Sequence, residues 1–285
     1  MDITRVCVVG GGTMGNGIAH VFAQKGFHVT LVEANQELAA KAVATIAKNM
    51  DRQAAKGALT AADKDAALAR LKTGTKIADA AGFELAVEAV PERLEIKTAV
   101  FKELETHGAP GAILATNTSS LPITDIAASL KDPSRVIGMH FMNPVPVMKL
   151  VEIIRGKKTS DGTTETVKAL TVKLGKIPAV ANDFPGFVSN RVLMPMINEA
   201  ILCLQEGVSS KEDIDTIMKL GMAHPMGPIA LADYIGLDVC LAIMEVLDKG
   251  FGGVKYKPAD LLRKMVAEGK LGVKSGAGFY EYPKK

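Results

Sequence analysis

Three glycines near the start of the chain, Gly10, Gly12 and Gly15, have the spacing of a phosphate-binding turn. They follow a short apolar run and precede a helical stretch, which is the context that such a turn requires. The first glycine permits a tight turn, the second lets the backbone approach a pyrophosphate, and the third allows a helix to pack closely on a strand. Thr13 and Met14 complete the turn. The pattern therefore predicts a dinucleotide bound at the N-terminus of a helix.

An acidic residue, Glu33, ends the next apolar run, 18 residues beyond Gly15. This is close to the spacing of about 20 residues at which a carboxylate accepts hydrogen bonds from the adenosine ribose. A carboxylate at that position also repels a 2′-phosphate, and no arginine follows it directly. The sequence therefore predicts NAD rather than NADP, with FAD, which uses the same kind of glycine turn, as the alternative.

Further polar residues follow three predicted strands, at the ends where ligands bind in doubly wound sheets. They are Glu92 and Lys97 after the first strand, Asn117 and Ser119 after the second, and His140 and Asn143 at the end of the third. An imidazole suits proton exchange near neutral pH, as hydride transfer at a C–O carbon requires, so His140 is the candidate acid–base group. A structural, hydrogen-bonded role for His140 and helix capping by Asn117 and Ser119 are the alternatives.

The elements that must position these residues alternate along the first part of the chain. Apolar runs typical of strands are separated by helical patterns, which predicts a Rossmann-like, doubly wound, mostly parallel sheet over residues 1–183. The predicted strands are 5–9, 28–35, 85–90, 112–116, 135–141, 149–154 and 177–181. An alanine- and lysine-rich stretch, 36–71, is predicted to be helical, with a break near Gly57 and a helix cap at Thr60.

Beyond residue 183 nearly all signals are helical, which predicts a smaller all-α domain over residues 184–285. Ser209 and Glu212 have the spacing of a capping box that opens one of its helices. The chain is therefore predicted to be an α/β protein with an N-terminal cofactor domain and a C-terminal helical domain.

Composition limits the classes of partner. The 285 residues carry 34 basic and 31 acidic side chains, a formal net charge of +3 with no basic stripe, so no nucleic-acid partner is expected. Apolar segments are too short or too interrupted by charges for a signal peptide or a membrane span. The widely separated Cys7, Cys203 and Cys240 suit buried thiols better than disulfides or a metal site. We expect a cytoplasmic protein.

Several longer segments are similar to the L-3-hydroxyacyl-CoA dehydrogenases, and the similarity covers essentially the whole chain. The most specific segments are "HFMNPVPVMKLVE" and "PGFVSNR", with further likeness in "VVGGGTMGNGIA", "ATNTSSLPIT" and "KSGAGFYEY". The length resembles that of the short, stand-alone bacterial members, so a fused enoyl-CoA hydratase is not expected. The resemblance implies interconversion of a short-chain 3-hydroxyacyl-CoA and its 3-ketoacyl-CoA, with NAD as cofactor.

The resemblance also implies catalytic residues. His140 resembles the base that takes the C3-hydroxyl proton, and Glu152 resembles the carboxylate that orients it. Ser119 and Asn190 match residues that hold the substrate oxygen and the ring in place. A simple hairpin of the two predicted strands around residue 145 would place His140 opposite about Lys149. The pairing of His140 with Glu152 therefore rests on the resemblance and not on register.

Binding residues are implied in the same way. Positions that match NAD contacts of the family, or lie beside them, are Glu92, Lys97, Asn117, Asn143 and Lys274. Lys56 matches a lysine that contacts coenzyme A phosphates, whereas Asn49 stands where some relatives have a serine that contacts coenzyme A. The family habit and the many apolar helix faces after residue 183 favour a homodimer formed through the helical domain.

Two other functions stay open from the sequence. A dehydrogenase of a free 3-hydroxy acid or sugar acid has a similar two-domain build, but it relies on a lysine near the interdomain helix rather than on a segment like that of His140. A non-catalytic NAD-binding protein would be expected to lack His140 or Glu152, and both are present.

Overall fold

A computed structural model describes residues 2–283, which form two compact units with the boundary between Phe184 and Pro185. The N-terminal unit combines a sheet with flanking helices, and the C-terminal unit consists of helices and irregular segments. The predicted fold class is therefore confirmed. Within residues 2–283, no helix is both long and apolar enough to cross a membrane.

Within the described residues, the N-terminal unit contains one sheet of eight strands. They are β1 (Arg5–Val9), β2 (His28–Val32), β3 (Leu71–Gly74), β4 (Leu85–Glu88), β5 (Ile113–Thr116), β6 (Val136–Phe141), β7 (Leu150–Arg155) and β8 (Ile177–Asn182). The strand order is β3-β2-β1-β4-β5-β6-β7-β8. All neighbours are parallel except β6 and β7, which are antiparallel. The sheet is thus mostly parallel, as predicted.

The seven predicted strands are present, but the eighth, β3, was not predicted, and the helical stretch predicted over 36–71 is wrong at its last residue, Leu71, with which β3 begins. β3 has four residues at the edge of the sheet, where Lys72 and Thr73 are exposed and Gly74 is buried. A short edge strand of this kind has no alternating apolar pattern, because it buries little of its surface. Residues 71–74 form a strand because they pair with β2.

Strand order fixes where a ligand can bind. β1 lies between β2 and β4, so the chain leaves β1 toward one side of the sheet and later returns on the other. A crevice opens at the carboxyl ends of the strands where the order reverses in this way. Val9, the last residue of β1, pairs with Val32 and with Glu88, so the three strands end at the same level.

The helices of the N-terminal unit pack against the strands of the sheet and against one another. They are α1 (Thr13–Gln24), α2 (Gln36–Ala55), α3 (Ala61–Ala69), α4 (Leu94–His107), α5 (Ile123–Ala127) and α6 (Asp161–Lys173). The predicted break near Gly57 is confirmed, since Gly57 adopts a left-handed φ of +70° between α2 and α3. The predicted cap is also confirmed: the Thr60 hydroxyl accepts a hydrogen bond from the Asp63 N–H at 3.1 Å.

The C-terminal unit has its own apolar core, built from α7 (Ser189–Gln205), α8 (Lys211–Gly221), α9 (Pro228–Ile235), α10 (Leu237–Gly250) and α11 (Asp260–Ala267). The predicted cap of α8 is one residue early. Ser210 rather than Ser209 is the N-cap, and its hydroxyl accepts a hydrogen bond from the Asp213 N–H at 3.1 Å. Asp213, whose side chain is shorter than that of Glu212, completes the cap. Its carboxylate accepts a hydrogen bond from the Ser210 hydroxyl at 2.9 Å.

The "KSGAGFYEY" segment docks onto a buried carboxylate of its own unit. Asp233, on α9, accepts hydrogen bonds from the N–H groups of Phe279 and Tyr280 at 2.9 and 2.8 Å, and from the Tyr282 hydroxyl at 3.1 Å. Burial raises the pKa of the Asp233 carboxyl, although these hydrogen bonds act in the opposite direction. These contacts fix the end of the described chain, and with it the turn that carries Lys274.

Candidate active site

The glycine turn has the geometry that its sequence predicts. Gly10 has φ of +93°, and a Cβ there would lie 2.7 Å from the carbonyl oxygen of Ala89. A Cβ on Gly15 would collide with the carbonyl oxygen of Gly10. Above Gly12, by contrast, no atom of the described residues lies within 4 Å of a Cβ position. Two glycines are therefore required for close packing, and Gly12 leaves open space where a phosphate can approach the backbone.

Glu33 closes the same turn from β2. Its carboxylate accepts hydrogen bonds from the Gly11 N–H at 2.6 Å and the Ala34 N–H at 2.8 Å, so its orientation is fixed. A cleft of about 1050 Å³ lies over these residues. Gly12, Thr13, Met14, Glu33 and Lys76 are among the residues that line it. A cleft of this size with an open glycine turn and a fixed carboxylate fits a dinucleotide.

Glu92 organises the turn that follows β5. One of its carboxylate oxygens accepts hydrogen bonds from the N–H groups of Ser119 and Ser120 at 2.9 and 3.1 Å, and from the Thr118 hydroxyl at 2.5 Å. Partial burial by itself raises the pKa of Glu92, but Lys97 and these hydrogen bonds outweigh it and hold the pKa below its usual range. Glu92 is therefore a carboxylate at neutral pH, and it fixes the backbone that carries Ser119.

Lys97, predicted to contact NAD, forms a buried ion pair. Its side chain is 1% exposed, and its ammonium donates a hydrogen bond at 2.7 Å to Glu88, which is fully buried at the end of β4. Glu88 was not among the predicted site residues. A signal was present, since an acidic residue inside the apolar run "LAVEAV" has to find a partner when it is buried.

His140 and Glu152 form a buried pair on adjacent strands. They are register partners in the antiparallel β6–β7 ladder, and His140 Nδ1 lies 3.0 Å from Glu152 Oε2. The two residues are 8% and 3% exposed. An ionised carboxylate can only accept, so Nδ1 is the donor and carries the ring proton in the neutral imidazole.

The simple hairpin, which would place His140 opposite about Lys149, is wrong. The ladder closes at the pair Phe141–Val151, and residues 142–149 form a loop outside it. Two prolines in this loop cannot donate ladder hydrogen bonds. The buried ammonium of Lys176 also binds the carbonyl oxygens of Val145 and Met148, both at 2.6 Å, which holds the loop away from the ladder.

Asn117 and Asn143 flank the His140 strand end. The side-chain oxygen of Asn117 accepts a hydrogen bond from the Phe141 N–H at 2.8 Å, which ties the end of β5 to the residue after His140. Asn143 is exposed in the loop that follows and precedes a cis peptide bond to Pro144. The carboxyl ends of the neighbouring strands β4, β5 and β6 thus carry, in this order, Glu92, then Asn117 and Ser119, then His140. We call this row of strand ends the catalytic edge of the sheet.

The remaining predicted site residues belong to α2 and to the C-terminal unit. Lys56 caps the C-terminus of α2 and is exposed, and Asn49, also on α2, accepts a hydrogen bond from Arg52 at 3.4 Å. In the C-terminal unit, Asn190 is buried in the first turn of α7, with its N–H bonded to the Gly186 carbonyl. Lys274 is exposed, with its ammonium 2.6 Å from an Asp238 oxygen.

A doubly wound sheet with an open glycine turn and a fixed acid on the next strand defines a class of dinucleotide-dependent enzymes, and the histidine–carboxylate pair at the same edge points to dehydrogenases. Comparison with known proteins narrows the class. Residues 5–184 match the family model "3-hydroxyacyl-CoA dehydrogenase, NAD binding domain", and residues 186–282 match "3-hydroxyacyl-CoA dehydrogenase, C-terminal domain".

Individual relatives agree with the family models. A probable 3-hydroxybutyryl-CoA dehydrogenase of Bacillus subtilis is 53% identical over 285 residues, covering 100% of this chain and 99% of the relative. The mitochondrial hydroxyacyl-coenzyme A dehydrogenase of Homo sapiens is 42% identical, covering 98% and 91%. The crystal structure of (S)-3-hydroxybutyryl-CoA dehydrogenase from Ralstonia eutropha has a TM-score of 0.97 at 50% identity, covering 99% and 100%. The chain belongs to the 3-hydroxyacyl-CoA dehydrogenase family, and its cofactor is NAD.

Proposed function

We propose that this protein interconverts (S)-3-hydroxybutyryl-CoA and acetoacetyl-CoA with NAD. The observation that carries the proposal is the buried His140–Glu152 pair at the same sheet edge as the glycine turn. Full-length relatives named as 3-hydroxybutyryl-CoA dehydrogenases, 53% and 50% identical, support the short acyl chain. When bound, the nicotinamide ring accepts or delivers the hydride at C3 of the substrate.

His140 moves the proton that accompanies hydride transfer. With Nδ1 donating to Glu152, Nε2 is the nitrogen that accepts the C3-hydroxyl proton during oxidation and returns it during reduction. The Glu152 carboxylate stabilises the imidazolium that forms, and it fixes the ring orientation. Because the pair is buried, this stabilisation is stronger than it would be in water.

The remaining roles are assigned to residues that the family resemblance implies. Ser119 and Asn190 donate hydrogen bonds to the C3 oxygen, where negative charge develops. The glycine turn with Thr13 and Met14 holds the pyrophosphate, Glu33 holds the adenosine ribose, and Glu92, Asn117, Asn143 and Lys274 hold the remainder of NAD. Lys56 binds the coenzyme A phosphates.

One assay tests the proposed function. The purified protein is mixed with NADH and, in parallel, with acetoacetyl-CoA, longer 3-ketoacyl-CoAs or free acetoacetate. We expect rapid NADH oxidation with acetoacetyl-CoA, less with longer chains, and none with the free acid. Turnover of the free acid alone would favour a hydroxy-acid dehydrogenase. NADH binding without turnover of any substrate would indicate a non-catalytic NAD-binding protein.

Glu33 is expected to set the choice between NADH and NADPH. Replacing it with glutamine removes the charge that repels a 2′-phosphate, a repulsion of about 1–4 kcal/mol for unit charges 4 Å apart near a protein surface. The ratio of kcat/KM for NADH to that for NADPH should therefore fall by roughly tenfold or more. Steady-state kinetics with both cofactors measure the ratio, with Glu165→Gln on the exposed surface of α6 as the control. A ratio that does not change would contradict this role of Glu33.

The proposal includes a homodimer formed through the C-terminal unit. Apolar side chains at the end of α8 and just beyond it support this, since Ile217, Leu220 and Met222 are 56%, 83% and 61% exposed. Burying such a patch against a second copy removes it from water. Sedimentation velocity at micromolar concentration should give the mass of a dimer, and a monomer would contradict the assignment.

The three unpaired cysteines support a cytoplasmic location.

A further inference from the structure

The ammonium of Lys97 is fully committed inside the protein. Lys97 lies in the first turn of α4, and its Nζ is 2.7 Å from a Glu88 oxygen, 3.2 Å from a Glu92 oxygen and 3.3 Å from the carbonyl oxygen of Val90. An ammonium has three N–H donors, so these three acceptors can use all of them. The side chain of Lys97 is 1% exposed, and its ammonium contacts these neighbouring protein groups.

Glu88 anchors this ammonium to the sheet. It is the last residue of β4 and is fully buried. One carboxylate oxygen accepts from the Val90 N–H at 2.6 Å as well as from Lys97, and the other accepts from the Thr116 hydroxyl at 2.7 Å. Thr116 is the register partner of Glu88 on β5. Glu88 therefore fixes Lys97 relative to the ends of two strands.

Glu92 connects the buried pair to the catalytic edge. One of its oxygens lies against Lys97, and the other accepts hydrogen bonds from the N–H groups of Ser119 and Ser120. We name Glu88, Lys97 and Glu92 the carboxylate clamp. It forms a continuous chain of contacts from the interior of the sheet to the backbone of Ser119.

We propose that Glu88 and Lys97 are positioning residues, which hold Glu92 in place and through it the turn that carries Ser119. The inference rests on the proposed function, in which Ser119 binds the C3 oxygen of the substrate. Besides the NAD contact expected of Lys97, this gives the residue a second role, as a support of Glu92.

The charges of the clamp are consistent with positioning. Its two carboxylates and one ammonium sum to a single negative charge, and without Lys97 the two carboxylates would face each other unpaired. Apolar residues of the same size usually stabilise a fold at least as well as a buried ion pair does. A buried pair whose ammonium also reaches Glu92 is therefore better explained by the precise placement of Glu92 than by stability.

Two variants separate positioning from stability. Lys97→Met removes the ammonium, and Glu88→Gln combined with Lys97→Met also removes the buried negative charge while keeping an acceptor for Thr116. In the single variant we expect kcat with acetoacetyl-CoA to fall on the order of tenfold to a hundredfold, since a displacement of about 1 Å at a reacting centre has this effect. In the double variant the unfolding temperature should recover, but kcat should stay low, because Glu92 still lacks its partner. Because Glu92 is also proposed to hold NAD, KM for NADH should rise together with the fall in kcat in both variants.

Lys102→Met, an exposed position on the same helix, is the matched control and should behave as the wild type. Recovery of kcat together with stability in the double variant would overturn the proposal, because it would reduce the clamp to a structural role. An increase in KM for NADH at normal kcat would overturn it in favour of a direct contact between Lys97 and NAD.

A second readout does not depend on turnover. Glu92 protects the Ser119 and Ser120 amides, so their hydrogen exchange should accelerate in both Lys97 variants while exchange in β1 does not. Unchanged exchange at these two amides would overturn the clamp even in a protein that failed to use acetoacetyl-CoA. A wild-type protein without this activity would instead contradict the proposed function, and the two failures are therefore distinguishable.

Discussion

Replacing His140 with alanine should lower kcat by about 100- to 10,000-fold in both directions of the reaction, which is the usual contribution of a positioned general acid–base group. Without the imidazole, no group at this position accepts the hydroxyl proton as hydride leaves. NADH binding should be nearly unchanged, because the glycine turn and Glu33 follow two other strands, β1 and β2. Steady-state kinetics with acetoacetyl-CoA and titration of NADH fluorescence measure the two effects separately.

Two further variants make this result interpretable. His140→Gln keeps a hydrogen-bonding side chain but cannot carry a proton, so it should be as slow as His140→Ala. His28→Ala, at an exposed position at the start of β2 and therefore at the opposite edge of the sheet, should retain wild-type turnover. Near-normal kcat in either His140 variant would remove this residue from the mechanism.

The fold could be predicted from the sequence largely because its strands are buried. Every residue of β4, β5 and β6 is buried, and such strands appear in the sequence as continuous apolar runs. β3 could not be found in this way, because its four residues bury little surface and form a strand through pairing with β2. β8, at the other edge, is also mostly exposed but was predicted, because its sequence "IPAVAN" is an apolar run. Local pattern therefore finds strands that contain an apolar run and misses β3, whose sequence "LKTG" has one apolar residue.

In the candidate site, features set by consecutive residues could be predicted, whereas contacts between distant residues could not. The backbone conformation of the glycine turn depends on residues that are close together in the sequence. The structure has the geometry that this sequence predicts. The register of β6 against β7 depends instead on the loop of residues 142–149, which is held by the distant Lys176. Loop symmetry alone therefore gave the wrong partner for His140, whereas the family resemblance implied Glu152. Glu88 was overlooked because its partners, Lys97 and Thr116, lie on other elements.

Replacing Glu152 with glutamine should lower kcat on the order of 100- to 10,000-fold, as removal of the carboxylate behind a catalytic histidine does elsewhere. Glutamine has nearly the same shape, so the packing of β6 on β7 is kept. The lost charge no longer stabilises the imidazolium, and the amide group can donate to Nδ1, which would place the ring proton on the wrong nitrogen. Kinetics and thermal unfolding of the same preparation separate this effect from a loss of stability.

The double variant His140→Ala with Glu152→Gln tests whether the two residues act as one unit. If Glu152 acts through His140, the second substitution should cost almost nothing once the imidazole is gone, because groups that work together are strongly non-additive. Glu165→Gln, at an exposed position on α6, serves as the control for the substitution itself and should have wild-type kcat. A full further loss of activity in the double variant would mean that Glu152 contacts the substrate or NAD on its own. The 3.0 Å contact between His140 and Glu152 in a buried ladder favours the first result.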